Sequence, residues 1–164
     1  MDIDPFSALL FYVVFLFAVT LHEAAHAWAA LRLGDRTAYQ GGQVTLDPRP
    51  HIKREPFGMV ILPLLSLALM GWPFGFASAP YDPRWAMRYP KRAAWMSLAG
   101  PASNLLLTLL AGAAIWALLQ AGVFVGPESI TFAGLVEPVR DGPWEGLAFF
   151  LGAMFSLNLL LFVF

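Results

Sequence analysis

The sequence predicts an all-α polytopic membrane protein with about four transmembrane segments and a small β-hairpin after the first. Three observations carry that expectation. Hydrophobic residues make up 59% of the 164 and charged residues only 13%, a balance beyond what a soluble domain of this size needs for its core. The apolar residues fall into four long blocks, each near the ~20 residues that cross ~30 Å of hydrocarbon. The charges concentrate in the segments between those blocks. By length the chain is one domain, residues 1–164. A net charge of −1 gives no reason to expect nucleic acid, and the lack of cysteine excludes disulfides and thiolate metal sites.

The first block runs from about Phe6 to Leu31. Asp4 can cap it, Pro5 suits the first helical position, and Gly34 supplies the stop. Met1-Asp2-Ile3-Asp4 lacks the basic start of a signal peptide, so this block is expected to stay in the mature protein. Gly41-Gly42, between the β-prone runs Thr37–Gln40 and Gln43–Leu46, predicts a tight hairpin. The second block, about Phe57 to Phe76, contains Pro63 and ends in Gly71-Trp72-Pro73-Phe74-Gly75, which makes it short or kinked. Residues 79–84 read as extended loop. The third block, about Ala93 to Leu119, opens behind Lys91-Arg92 and carries Gly100-Pro101. Gly122–Glu145, rich in Gly and Pro, caps the far side. The fourth block begins near Gly146 and is still apolar at Phe164, so the chain is expected to be a fragment truncated inside a helix.

Basic residues orient the chain in part. Arg32, Arg36, Arg49, Lys53 and Arg54 place the C-terminal end of the first block on the cytoplasmic side. Arg84, Arg88, Lys91 and Arg92 would face the opposite side if the second block crosses fully. Either that block is re-entrant or the following loop breaks the rule; an irregular but genuine crossing is the preferred expectation.

Within the first block stands His22-Glu23-Ala24-Ala25-His26. Histidines four residues apart lie one turn apart on one helix face, the spacing that grips a single zinc ion, and the Glu between them can serve as general base. Ionisable side chains at membrane depth mark function by default. At ~1.5 Å per residue, His26 lies roughly 9 Å and His22 roughly 15 Å from Arg32, so water must reach them through a protein-lined cavity. A catalytic zinc needs a third protein ligand. His51, Asp47, Glu128, Glu137, Asp141 and Glu145 are candidates, each in a predicted loop and each more simply a solvated residue. Asn104, one turn beyond Gly100-Pro101, can donate a hydrogen bond to an active-site water or substrate carbonyl, or can pack between helices.

His22–His26 in an apolar span, then Gly41-Gly42, Asp47-Pro48, Pro56-Phe57-Gly58, Pro73-Phe74-Gly75 and Ala99-Gly100-Pro101-Ala102-Ser103-Asn104, resemble the site-2 protease family. These are intramembrane zinc metalloproteases of the M50 type, and the likeness is to compact prokaryotic members without a PDZ domain. The resemblance implies one zinc ion held by His22 and His26, with Glu23 as catalytic base. It also implies a multi-pass protein of the cell membrane, cutting membrane-protein substrates within the lipid bilayer. The hairpin is thought to bind substrate in that family. Its third ligand is an Asp in an L-D-G motif on a later span; Ser156–Phe164 resembles the lead-in to that motif, and the Asp itself is absent. Two other functions stay open. A catalytically incomplete scaffold would hold a client without cutting it, and an ion transporter would need polar residues on several facing spans. Substrate, regulatory trigger and oligomeric state are not legible.

Overall fold

A computed structural model describes residues 4–164. Among the described residues, three helices are long and apolar enough to cross a membrane: α1 (Pro5–Leu33), α6 (Pro90–Gln120) and α7 (Pro143–Val163). Between the first two lie α2 (Thr37–Gln40), α3 (Pro48–Arg54), a π-helical turn (Phe57–Ile61) continued by α4 (Leu62–Met70), and α5 (Pro83–Arg88). The fold is that of an all-α polytopic membrane protein.

α1 is bounded as its sequence dictates. The Asp4 carboxylate accepts from the amides of Phe6 and Ser7, Pro5 opens the helix, and Gly34 closes it in the left-handed region at φ 107°. α6 runs antiparallel to α1: its start meets the end of α1, where the Arg92 guanidinium donates to the Leu33 carbonyl at 3.2 Å. α7 runs parallel to α1, with Gly146 beside Phe6 at one end and Leu161 near the histidines at the other. The core between them holds Phe11, Val14, Phe15, Met59, Met154 and Leu157. Leu9, Val13, Leu64, Leu65, Leu106, Leu109 and Trp116 are exposed, an apolar exterior that suits lipid rather than water.

Two expectations are corrected. The second block does not cross. Phe57–Met70 is 14 residues, about 21 Å of helix against ~30 Å of hydrocarbon. Gly71, at φ 78°, ends it, and residues 73–82 return extended along the path just travelled. The Phe74 amide donates to Ser66 Oγ at 2.7 Å, the Phe76 amide to the Gly58 carbonyl at 3.1 Å, and Ser78 Oγ to the Glu55 carboxylate at 2.6 Å. Asp82 therefore ends beside Asp35, whose carboxylate accepts its amide at 2.8 Å. The segment is re-entrant, and Arg84–Arg92 lie at the same end as Arg32–Arg54. The conflict over basic residues disappears. Glycine permits the return: a Cβ on Gly58 would collide with Phe76, and one on Gly75 with Phe15 and Pro63. The π-helical turn also has a local cause. Pro63 cannot donate to the Met59 carbonyl, and the Tyr12 hydroxyl donates to it instead at 3.0 Å.

The hairpin expected after α1 is not formed. Asp35 Oδ1 accepts from the Thr37 amide at 2.9 Å and from Thr37 Oγ1 at 2.6 Å. That cap starts a helical turn, which Gly41 and Gly42 terminate, so side-chain capping overrides β propensity. Among the described residues the antiparallel ladder lies elsewhere, between α6 and α7, pairing Phe124 with Pro138 and Val125 with Glu137. The predicted loop 79–84 is cut short at its end: Pro83–Arg88 form α5, because Asp82 caps it and Pro83 starts it.

Candidate metal centre

α1 turns His22, Glu23 and His26 towards a cavity of about 530 Å³. Its walls are the extended returning segment from Gly75 to Tyr81, the start of α6 at Met96, Ser97 and Pro101, and the end of α7 at Leu161 and Phe164. Glu23 is almost wholly buried there.

Each histidine is held by the nitrogen that faces away from the other. His26 Nδ1 donates to the Met96 carbonyl at 2.8 Å, a partner that can only accept, so its proton is on Nδ1. His22 Nδ1 contacts Asn104 Oδ1. The two Nε2 atoms then converge at 3.0 Å, close to the ~3.3 Å that two imidazoles adopt on a tetrahedral zinc with bonds of ~2.0–2.1 Å. Two lone pairs at that distance repel unless a proton or a cation lies near both. Gly100 makes room for the pair, since any Cβ there would collide with Nε2 of both rings. The donor set fits zinc at two positions. Pro101, next along, cannot donate to the Ser97 carbonyl one turn back, and both residues line the cavity.

The other candidates are held elsewhere. His51 is buried in α3 with Nε2 donating to the Thr45 carbonyl at 3.1 Å, and burial holds its imidazole below the ordinary range despite that bond and nearby Asp47. Asp47 caps α3 and pairs with exposed Arg49, whose hydrogen bonds lower its pKa. Glu145 accepts from the Gly142 amide at the start of α7, and Glu137 lies in the strand ladder. Glu128 and Asp141 are exposed between α6 and α7. Among the described residues, no cluster of three or more His, Cys, Asp or Glu could hold a metal. Asn104 is fully buried; its Nδ2 donates to Asn158 Oδ1 at 2.7 Å. Its NH₂ group spans α6 and α7, one of the two roles the sequence left open for it. Two features of the site escaped the sequence analysis: the returning segment, and Asn158, whose signal was a lone amide in an apolar run.

Fold and site together define a helical membrane protein whose H-E-x-x-H residues face one cavity. The chain is 32% identical over 161 residues to "Putative zinc metalloprotease YwhC" of Bacillus subtilis, covering 98% of this chain and 64% of that protein. It is 39% identical over 117 residues to "Putative zinc metalloprotease Rip2" of Mycobacterium tuberculosis, covering 66% of this chain and 43% of the relative. The Rip2 of Mycolicibacterium smegmatis is 36% identical over 95 residues, 58% of this chain and 35% of its own. The chain thus spans less than two thirds of the length of each of these relatives. No family profile and no solved structure matches it. These relatives are named as zinc metalloproteases, in keeping with the resemblance of the sequence to the site-2 protease family.

Proposed function

We propose that this protein is a zinc-dependent intramembrane endopeptidase, multi-pass in the cell membrane, that hydrolyses peptide bonds in or near membrane-spanning segments of other proteins. The convergence of His22 Nε2 and His26 Nε2 beside the buried Glu23 carries this reading. His22 and His26 would hold the metal, with a third ligand required in addition. Zinc, when bound, supplies Lewis acidity that acidifies water and polarises a peptide carbonyl. Glu23 accepts a proton from water within the cavity and returns it to the departing amine. The returning segment and the Ser97 carbonyl offer main-chain groups to an unwound substrate, because a scissile bond must leave its helix to be reached.

The test is Glu23→Gln in detergent-solubilised protein, assayed for zinc content and for cleavage of single-span membrane peptides. Zinc should be retained while cleavage falls by about 10²–10⁴-fold. Cleavage equal to wild type would remove Glu23 from the chemistry. The second reading, a scaffold that binds clients without cutting them, draws on the lack of a third ligand among the described residues. It predicts client capture that does not change when Glu23 is replaced.

A further inference from the structure

We propose that Asn158 is a positioning residue for the metal-facing nitrogen of His22, acting from α7 through Asn104. The inference rests on the zinc peptidase reading for its purpose, but its geometry stands on this chain alone. Asn158 is fully buried in an otherwise apolar stretch of α7, a costly place for an amide unless both its ends are used. Both are used. Nδ2 donates to the Met154 carbonyl at 2.8 Å, and Oδ1 accepts from Asn104 Nδ2 at 2.7 Å.

The order of donors is forced from one end. The Met154 carbonyl can only accept, so Asn158 must present its NH₂ group there and its oxygen to Asn104. Asn104 must then present its own NH₂ to Asn158 and its oxygen to His22. The His22 proton is thereby required on Nδ1, leaving the Nε2 lone pair to face His26 Nε2. Reversing the Asn158 amide alone would set its oxygen against the Met154 carbonyl in a water-free interior. Reversing that of Asn104 alone would set its oxygen against the Asn158 oxygen. His26 needs no such relay, because the Met96 carbonyl fixes its tautomer directly. One imidazole is oriented by main chain, the other by an amide pair spanning α6 and α7.

The experiment uses the full chain in detergent micelles, ¹⁵N-labelled at histidine, with Asn158→Leu and Asn158→Asp beside wild type. The chain has three histidines, so the ring nitrogens can be assigned with single His variants. Metal-free wild type should show His22 protonated on Nδ1, and Asn158→Leu should move that proton towards Nε2 while leaving His26 unchanged. From zinc-loaded protein, Asn158→Leu should lose zinc to a chelator about 10–100-fold faster. Asn158→Asp should behave as wild type, because an uncharged acid donates to the Met154 carbonyl and accepts from Asn104 in the same order. If Asn158→Leu does not fold, the wild-type spectrum and the Asn158→Asp variant decide. Wild-type His22 carrying its proton on Nε2 would overturn the proposal. So would Asn158→Leu that melts at lower temperature but keeps the wild-type His22 tautomer and zinc release. Wild type that binds no zinc would instead sink the peptidase reading, and the tautomer measurement would still stand.

Discussion

Along α1, the half from Phe6 to Ala18 and the half from Val19 to Leu33 are buried by different means. In the first half, Phe11 stacks on Phe132 at 5.9 Å and meets Phe149 edge-on at 5.7 Å, with Trp72 against Phe132 completing an aromatic cluster. Shape and area hold that end. In the second half, His22 and His26 are held by Asn104 and a main-chain carbonyl, and glycine gives them room. The first region can be weakened by removing volume and the second by adding it. Stability and metal capture should therefore respond to different mutations.

Phe11→Ala should give the largest effect of this kind, costing about 3–5 kcal/mol of stability for a buried ring. Thermal or denaturant melts in detergent measure it, and zinc bound per folded chain should stay at the wild-type value. A loss of zinc in proportion to stability would mean that the two regions are not separable. Gly100→Ala should do the reverse. The new methyl group displaces both imidazoles, so zinc retention is expected to fall by about 100-fold or more by chelator competition. The melting temperature should hold or rise, since Ala is favoured over Gly within a helix by about 1 kcal/mol.

The smallest effect separates His51 from the other two histidines. Burial lowers its pKa from 6.5, so the folded state binds fewer protons than the unfolded chain. The stabilisation is whole above about pH 6.5 and drains away as pH falls through the lowered folded value. It can change by at most about 1.4 kcal/mol per pH unit. Melts between pH 7.5 and 5 should show that slope in wild type and a flatter one in His51→Gln.

Much of the long-helix framework was legible because its signals are local. Asp4, Pro5 and Gly34 bound α1 where their chemistry says they should, and α6 and α7 follow from apolar length. The H-E-x-x-H spacing likewise placed His22, Glu23 and His26 on one cavity. What failed turned on which backbone and side-chain partners were chosen, near in sequence for the hairpin and distant for the second block. Gly41-Gly42 looks like a hairpin until Asp35 is seen capping Thr37. The second block looks like a crossing until Phe76 is found on the Gly58 carbonyl, 18 positions back. For Asn104 two roles stayed open, because nothing local reveals that Asn158 lies opposite it.

The stretch that doubles back from Gly75 to Tyr81 has a consequence for how this protein can vary. A wall built of peptide groups keeps its donors and acceptors whatever side chains it carries. Ala77 and Ala79 can therefore drift among small residues without altering the polarity of the chamber, while Gly58 and Gly75, where a Cβ would meet backbone and rings, admit almost no replacement. Mutational scars that silence the protein should accumulate on those two glycines sooner than on the alanines that follow them.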